Sequence, residues 1–165
     1  MKTNRGGWRM LRREQLMDTV RHDPYQAKVK PPEPTRCPGC GAVFQKGRWT
    51  WGTAPAGAHE ELCPACRRIR EKLPAGYVTL AGAFLAAHRD EILNRVRSVE
   101  AREKGEHPLE RIVAVADQGA EVLVTTTSAH LARAIGEALE DAWKGELEYH
   151  YNDEDSMLRV RWARE

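Results

Sequence analysis

Cys37-Pro38-Gly39-Cys40 and Cys63-Pro64-Ala65-Cys66 contain all four cysteines of the chain, and their reading decides what the first half folds around. Two Cys-x-x-Cys pairs supply four thiolates, a complete tetrahedral shell for Zn²⁺. The 22 residues between the pairs slightly exceed the usual spacing of about 15–20, an excess that a hairpin between two knuckles absorbs. Proline follows the first cysteine of each pair. Gly41 follows the first pair, where a tight turn lets backbone N–H groups point at sulfur. The pattern predicts a zinc ribbon with Cys37, Cys40, Cys63 and Cys66 as ligands. A closed shell leaves no open coordination position, so the expected metal is structural rather than catalytic.

Other chemistries also use four thiols. An iron–sulfur cluster accepts four thiolates, and a secreted protein could form two disulfides. A redox Cys-x-x-Cys normally occurs once, at a helix start in a βαβ unit, whereas here it occurs twice among prolines and glycines. His59, four residues before Cys63, could replace a ligand but reads as a loop histidine. The stretch Met1–Leu11 is basic and lacks the apolar run of a secretory signal. No stretch approaches the ~20 apolar residues that span a bilayer, so a cytoplasmic protein is expected.

The chain has 165 residues, of which 41% are apolar, which suits a small metal module plus one modest domain. Its charge is divided unevenly. Residues 1–75 hold 15 Lys/Arg against 7 Asp/Glu, a net of +8, and residues 76–165 hold 11 against 17, a net of −6. Such asymmetry suggests that the first half meets a polyanion while the second stays soluble.

Three parts follow from the patterning. Residues 1–34 read as a basic N-terminal arm, with Arg5, Arg9, Arg12 and Arg13 around Trp8, a short helix over Arg9–Val20, and a stiff Lys30-Pro31-Pro32-Glu33-Pro34 connector. Residues 35–75 read as the four-cysteine zinc-binding module. In it Val43–Trp51 forms two strands about a turn near Gly47, with Trp49 and Trp51 on one face, and a short basic helix follows Cys66. Residues 76–165 read as an α+β domain of order α-β-β-α-β-β. A helix over Leu80–Lys104 carries the stripe Leu85, Ile92, Val96 and Val99. Strands cover Arg111–Ala116 and Glu121–Thr126. Ser128 caps a helix to Trp143, with Leu131, Ile135 and Leu139 every four residues. Leu147, Tyr149 and Tyr151, then Leu158, Val160 and Trp162, alternate as two last strands. The fold class is therefore α+β: a four-cysteine zinc ribbon followed by a small domain with a four-stranded sheet and helices on one face.

Two constellations could carry chemistry. The first is a basic, aromatic surface around the zinc, made by Lys46, Arg48, Trp49, Trp51, Arg67, Arg68, Arg70 and Lys72, with Arg9, Arg12 and Arg13 from the arm. Lys and Arg gain affinity from phosphates by releasing counterions, and tryptophan faces stack on exposed bases. The second is a secondary phosphate site at Thr126, Thr127, Ser128 and His130, where a strand runs into a helix N-terminus. Strand threonines and a cap explain the same residues. Asp153-Glu154-Asp155 reads as a solvated hairpin tip. The chain lacks a Walker-type loop, Gly-x-Gly-x-x-Gly, Gly-x-Ser-x-Gly and His-Glu-x-x-His, so no catalytic residues are assigned and no enzyme is expected. An enzyme acting on nucleotides or RNA would need a deep pocket lined by His130 and carboxylates.

Five segments carry a resemblance: Cys37–Phe44, Gly47–Trp51, Cys63–Ile69, His107–Ile112 and Thr125–Gly136. Over roughly residues 23–165 the chain resembles a family of short bacterial proteins. These are similar to the archaeal and eukaryotic large-subunit export adaptor, the protein named for step three of nonsense-mediated decay. The looser link to the adaptor rests on the zinc module and the threonine-to-helix region. The resemblance implies zinc ligation by Cys37, Cys40, Cys63 and Cys66, and binding to the large ribosomal subunit. The chain is much shorter than the adaptor, so an export role is not implied. The expected function is RNA binding, to ribosomal RNA of the large subunit, in assembly, stress or quality control. The alternative is a protein-interaction adaptor that works through its acidic α+β domain.

Overall fold

The computed structural model describes residues 8–12, 30–154 and 157–165. Among them the elements run β1 (Arg9–Leu11), β2 (Thr35–Arg36), β3 (Val43–Gln45), β4 (Arg48–Thr50), β5 (His59–Glu60) and α1 (Pro64–Glu71). There follow β6 (Gly76–Ala81), α2 (Ala83–Glu106), β7 (Ile112–Gln118), β8 (Glu121–Thr126), α3 (Ala129–Trp143), β9 (Glu146–Asn152) and β10 (Met157–Ala163). The fold is α+β. A small four-stranded sheet of order β4-β3-β2-β5 lies in the cysteine half, and a six-stranded sheet of order β1-β9-β10-β6-β8-β7 forms the rest.

The expected α-β-β-α-β-β order is present as α2-β7-β8-α3-β9-β10, and its two hairpins are the antiparallel pairs β7–β8 and β9–β10. They do not meet directly. β6 lies between them, antiparallel to β8 and parallel to β10. The start of the expected Leu80–Lys104 helix is thus a strand, and the helix itself begins at Ala83. Tyr77-Val78-Thr79-Leu80 alternates, with Val78 and Leu80 fully buried, as a strand against a core does. Gly82 makes the transition at φ +99, and a Cβ there would lie 2.0 Å from the Arg164 carbonyl oxygen, so strand turns into helix where only glycine fits.

The N-terminal segment departs from expectation in the same way. Arg9–Leu11 is not helical but pairs antiparallel with β9, Leu11 opposite Tyr149. Leu11 is buried there, and that burial outweighs a weak helical preference in so short a segment. The remainder of the expected helix, Arg13 included, lies outside the described residues.

One core holds the larger sheet to its helices. The stripe residues Leu85, Ile92, Val96 and Val99 of α2 and Leu131, Ile135 and Leu139 of α3 meet Val78, Leu80, Val122, Val124, Leu158, Val160 and Trp162. Each such Leu, Ile or Val is worth about 1.5–3 kcal/mol relative to exposure. The strand residues alternate onto one face, so both helices cover that face. Gly136 lets α3 settle close, since a Cβ there would meet Val160 Cγ1 at 2.6 Å. The indole Nε1 of Trp162 donates to the Lys144 carbonyl at 2.7 Å, so the deepest side chain is satisfied. Among the described residues no helix is long and apolar enough to cross a membrane.

The cysteine half is attached at one end of the large sheet. α1 runs through Leu73–Ala75 into the start of β6, where the Ala75 N–H donates to Thr126 O at 2.9 Å and the Ala75 carbonyl accepts from Leu158 N–H at 3.2 Å. The beginning of β7 and the end of β8 lie at this same end.

Candidate metal centre

The two knuckles are built differently. The first is a turn: Gly41 N–H donates to Cys37 O at 2.9 Å, and Cys37 N–H to Ala42 O at 2.8 Å. The second is the start of α1. Cys63 is its N-cap and Pro64 opens it, where a missing N–H costs no bond. Backbone donors converge on sulfur, Cys63 N–H on Cys37 Sγ at 3.3 Å and Cys66 N–H on Cys63 Sγ at 3.4 Å.

The four sulfurs lie within 4.8 Å of one another. Four sulfurs at about 2.3 Å from a tetrahedral Zn²⁺ stand about 3.8 Å apart, and Cys40 Sγ and Cys63 Sγ are separated by 3.8 Å. All four cysteines are free. Cys37, Cys63 and Cys66 are buried and Cys40 partly so. His59 is exposed in β5 and does not belong to the cluster.

The electrostatics of the cluster are compatible with a bound cation. Burial raises the Cys37 thiol, but the N–H groups of Cys63, Cys40 and Gly39 outweigh it and bring the thiol down to about 7. Burial pushes Cys40 and Cys63 up, and the neighbouring sulfurs push both further. Once one thiol ionises, the others resist doing so, and a bound dication removes that conflict.

A residue from the other half completes the surroundings. Arg111 Nη2 donates to Cys66 Sγ at 3.0 Å and to Cys63 Sγ at 3.4 Å. Burial would lower its pKa, but the hydrogen bond to Cys66 and the nearby sulfurs more than reverse that. Leu109, from the same loop, packs on the cluster with Leu62 and Trp49. No spacing rule connects Arg111 to cysteines so distant in the chain. Its only mark in the sequence is a place in the His107–Ile112 segment.

The basic and aromatic residues divide by location. Lys46 and Arg48 are exposed at the tip of the β3–β4 hairpin, and Arg67, Arg70 and Lys72 are exposed on and just after α1. Arg68 is not available to a partner. It is only 3% exposed, and its Nη1 donates to the Leu73 carbonyl at 3.1 Å. Trp49 tilts against Phe44, ring centroids 5.5 Å apart, and is half-buried on the cysteine cluster. Trp51 is exposed, and its Nε1 donates to Lys104 O at 2.6 Å. Arg9 and Arg12 are not beside the cysteines. They sit on or next to edge strand β1, with three strands between it and β8, and Arg9 pairs with Asp153 at 3.1 Å. Arg13 lies outside the described residues.

The threonine run is engaged by the protein itself. Thr126 Oγ1 donates to Ser128 O at 2.6 Å, and Thr127 Oγ1 donates to Leu109 O at 2.6 Å while accepting from Arg111 N–H at 2.9 Å. Ser128 Oγ accepts from Leu131 N–H at 3.0 Å and donates to Glu110. His130 Nε2 is 3.2 Å from Glu103 Oε2. Two carboxylates therefore already occupy the region of the helix start, where they take the place an anion would.

Neither a family model, a curated protein nor a solved structure matches the chain.

Proposed function

We propose that this chain is a zinc-ribbon protein that binds RNA, with ribosomal RNA of the large subunit as its target. The set of four cysteine sulfurs within 4.8 Å of one another supports zinc, a metal such sites hold without an open position. One observation carries the RNA reading. Among the described residues, the exposed cations Lys46, Arg48, Arg67, Arg70 and Lys72 make no ion pair. Unpaired cations on one small module leave it complementary to a polyanion. The ribosomal target rests on the sequence resemblance, and a cytoplasmic location is proposed alongside it.

The test is sedimentation of tagged protein from cell lysate on a sucrose gradient, with and without ribonuclease. Co-migration with the large subunit that ribonuclease abolishes supports the reading. Association that survives ribonuclease points to a protein partner instead, and absence from the ribosomal fractions overturns the ribosomal target.

A further inference from the structure

We propose that Arg111 is a positioning residue of the metal centre, through which the larger domain holds the metal in place. The inference rests on the reading of the four cysteines as a metal site. Four thiolates around a dication carry a formal charge of −2, which is costly to keep away from water unless compensated. Among the described residues Arg111 is the one cationic side chain with contacts to these sulfurs, at 3.0 and 3.4 Å. Its Nε is buried with no hydrogen-bond partner. The guanidinium therefore gives up solvation to reach the sulfurs, and only their negative charge offsets that loss.

The backbone beneath this side chain is fixed from two directions. Arg111 N–H donates to Thr127 Oγ1 at 2.9 Å, and Arg111 O accepts from Thr127 N–H at 2.8 Å. Thr127 in turn holds Leu109 O, and Leu109 packs on the cysteine cluster. The loop thus closes over the centre as a clasp anchored at the junction of β8 and α3. N–H donors to a thiolate lower its affinity for protons and hold it in the orientation the metal needs, as partners outside the ligand shell do in other metal sites. The metal in return keeps all four sulfurs ionised, and the net negative charge of the loaded centre is what holds Arg111 in place. Metal occupancy and the docking of ribbon against sheet become one linked equilibrium.

The experiment uses the full chain and the variants Arg111→Met and Arg111→Lys. Methionine keeps the length and apolar volume of the stem and removes the donors, while lysine keeps the charge and a donor. Zn²⁺ affinity is read by competition with a chromophoric chelator. Loss of an outer-shell partner typically lowers metal affinity about 10–100-fold, and that is the result expected for Arg111→Met, with Arg111→Lys recovering most of it. The Co²⁺-loaded Met variant should also move its sulfur-to-metal charge-transfer band to lower energy, a change that simple loosening of the fold does not produce. Unchanged affinity in Arg111→Met, or equal losses in both variants, overturns the proposal. If the Met variant fails to fold, the wild-type protein decides. Metal loading should slow exchange of the Arg111 side-chain N–H protons and chelation should release it, and identical exchange in both states overturns the proposal. A wild-type chain that takes up no metal overturns the reading of the cysteines themselves.

Discussion

The indole Nε1 of Trp51, at the end of the ribbon hairpin, donates to the main-chain oxygen of Lys104 in the last turn of α2, at 2.6 Å. The two residues are 53 positions apart in sequence, and their bond ties the ribbon to the C-terminal end of the long helix. Carbonyls in a last helical turn lack intrahelical partners, so the indole meets a real need. Trp51→Phe should cost about 1 kcal/mol of stability, the usual net worth of such a bond. It should leave RNA affinity nearly unchanged, because phenylalanine keeps a stacking face. Thermal unfolding and filter binding on the same variant separate the two effects.

The four cysteines should bind one Zn²⁺ per chain, read by elemental analysis. Cys40→Ser should unfold the ribbon, since ligation of a small structural zinc site is worth on the order of 10 kcal/mol and is folding free energy for such a module. The larger core, in which Trp162, Leu80, Ile92 and Leu131 are fully buried, should persist. Near-ultraviolet circular dichroism and amide exchange report the two regions separately.

Neighbouring arginines on α1 should behave oppositely. Replacing exposed Arg67 and Arg70 with glutamate should abolish RNA binding and leave zinc content and melting unchanged. Arg68→Ala should lower stability by about 1–3 kcal/mol, through loss of packing and of its bond to the Leu73 carbonyl, and should leave the RNA-facing charges in place. Affinity and melting measured on both variants would expose any reversal of this ranking.

Burial of Glu110 should give the fold a pH dependence. Burial is the main influence on its carboxyl and pushes it up, against the hydrogen bond from Ser128 and the charge of His130. A group whose folded pKa is raised contributes stability below its unfolded pKa, and that contribution is lost as pH rises through the folded value. Wild-type stability should therefore fall relative to Glu110→Gln as pH rises from the ordinary carboxylate range, and the gap should level off once the folded-state carboxyl has ionised. Glutamine still offers an oxygen to Ser128, so the variant should be at least as stable as wild type at neutral pH. Denaturant titrations across acidic to neutral pH measure the gap.

Local patterns revealed most of the larger domain. Leu131, Ile135 and Leu139 marked α3, Ser128 marked its start, and the alternation of Leu158, Val160 and Trp162 marked β10, because each signal is carried by a few adjacent residues. The cysteine cluster was legible for the same reason. What escaped was decided at long range. β6 was hidden because Leu80 and Ala81 run directly into a helical pattern, and only pairing to β8 and β10 makes the segment a strand. β1 forms because Leu11 finds a place opposite Tyr149. The burial of Arg68 and the reach of Arg111 to Cys66 depend on how the ribbon sits against the sheet, which no periodicity encodes.

The most direct test of the account is the affinity of the zinc-loaded protein for a single-stranded segment of large-subunit ribosomal RNA as salt is raised from about 50 to 200 mM. Five unpaired cations on the ribbon, each releasing about 0.7 counterion from a single strand, predict a log–log slope near −3.5 and a loss of about two orders of magnitude in affinity. A slope near zero, or no binding at the lowest salt, would contradict it.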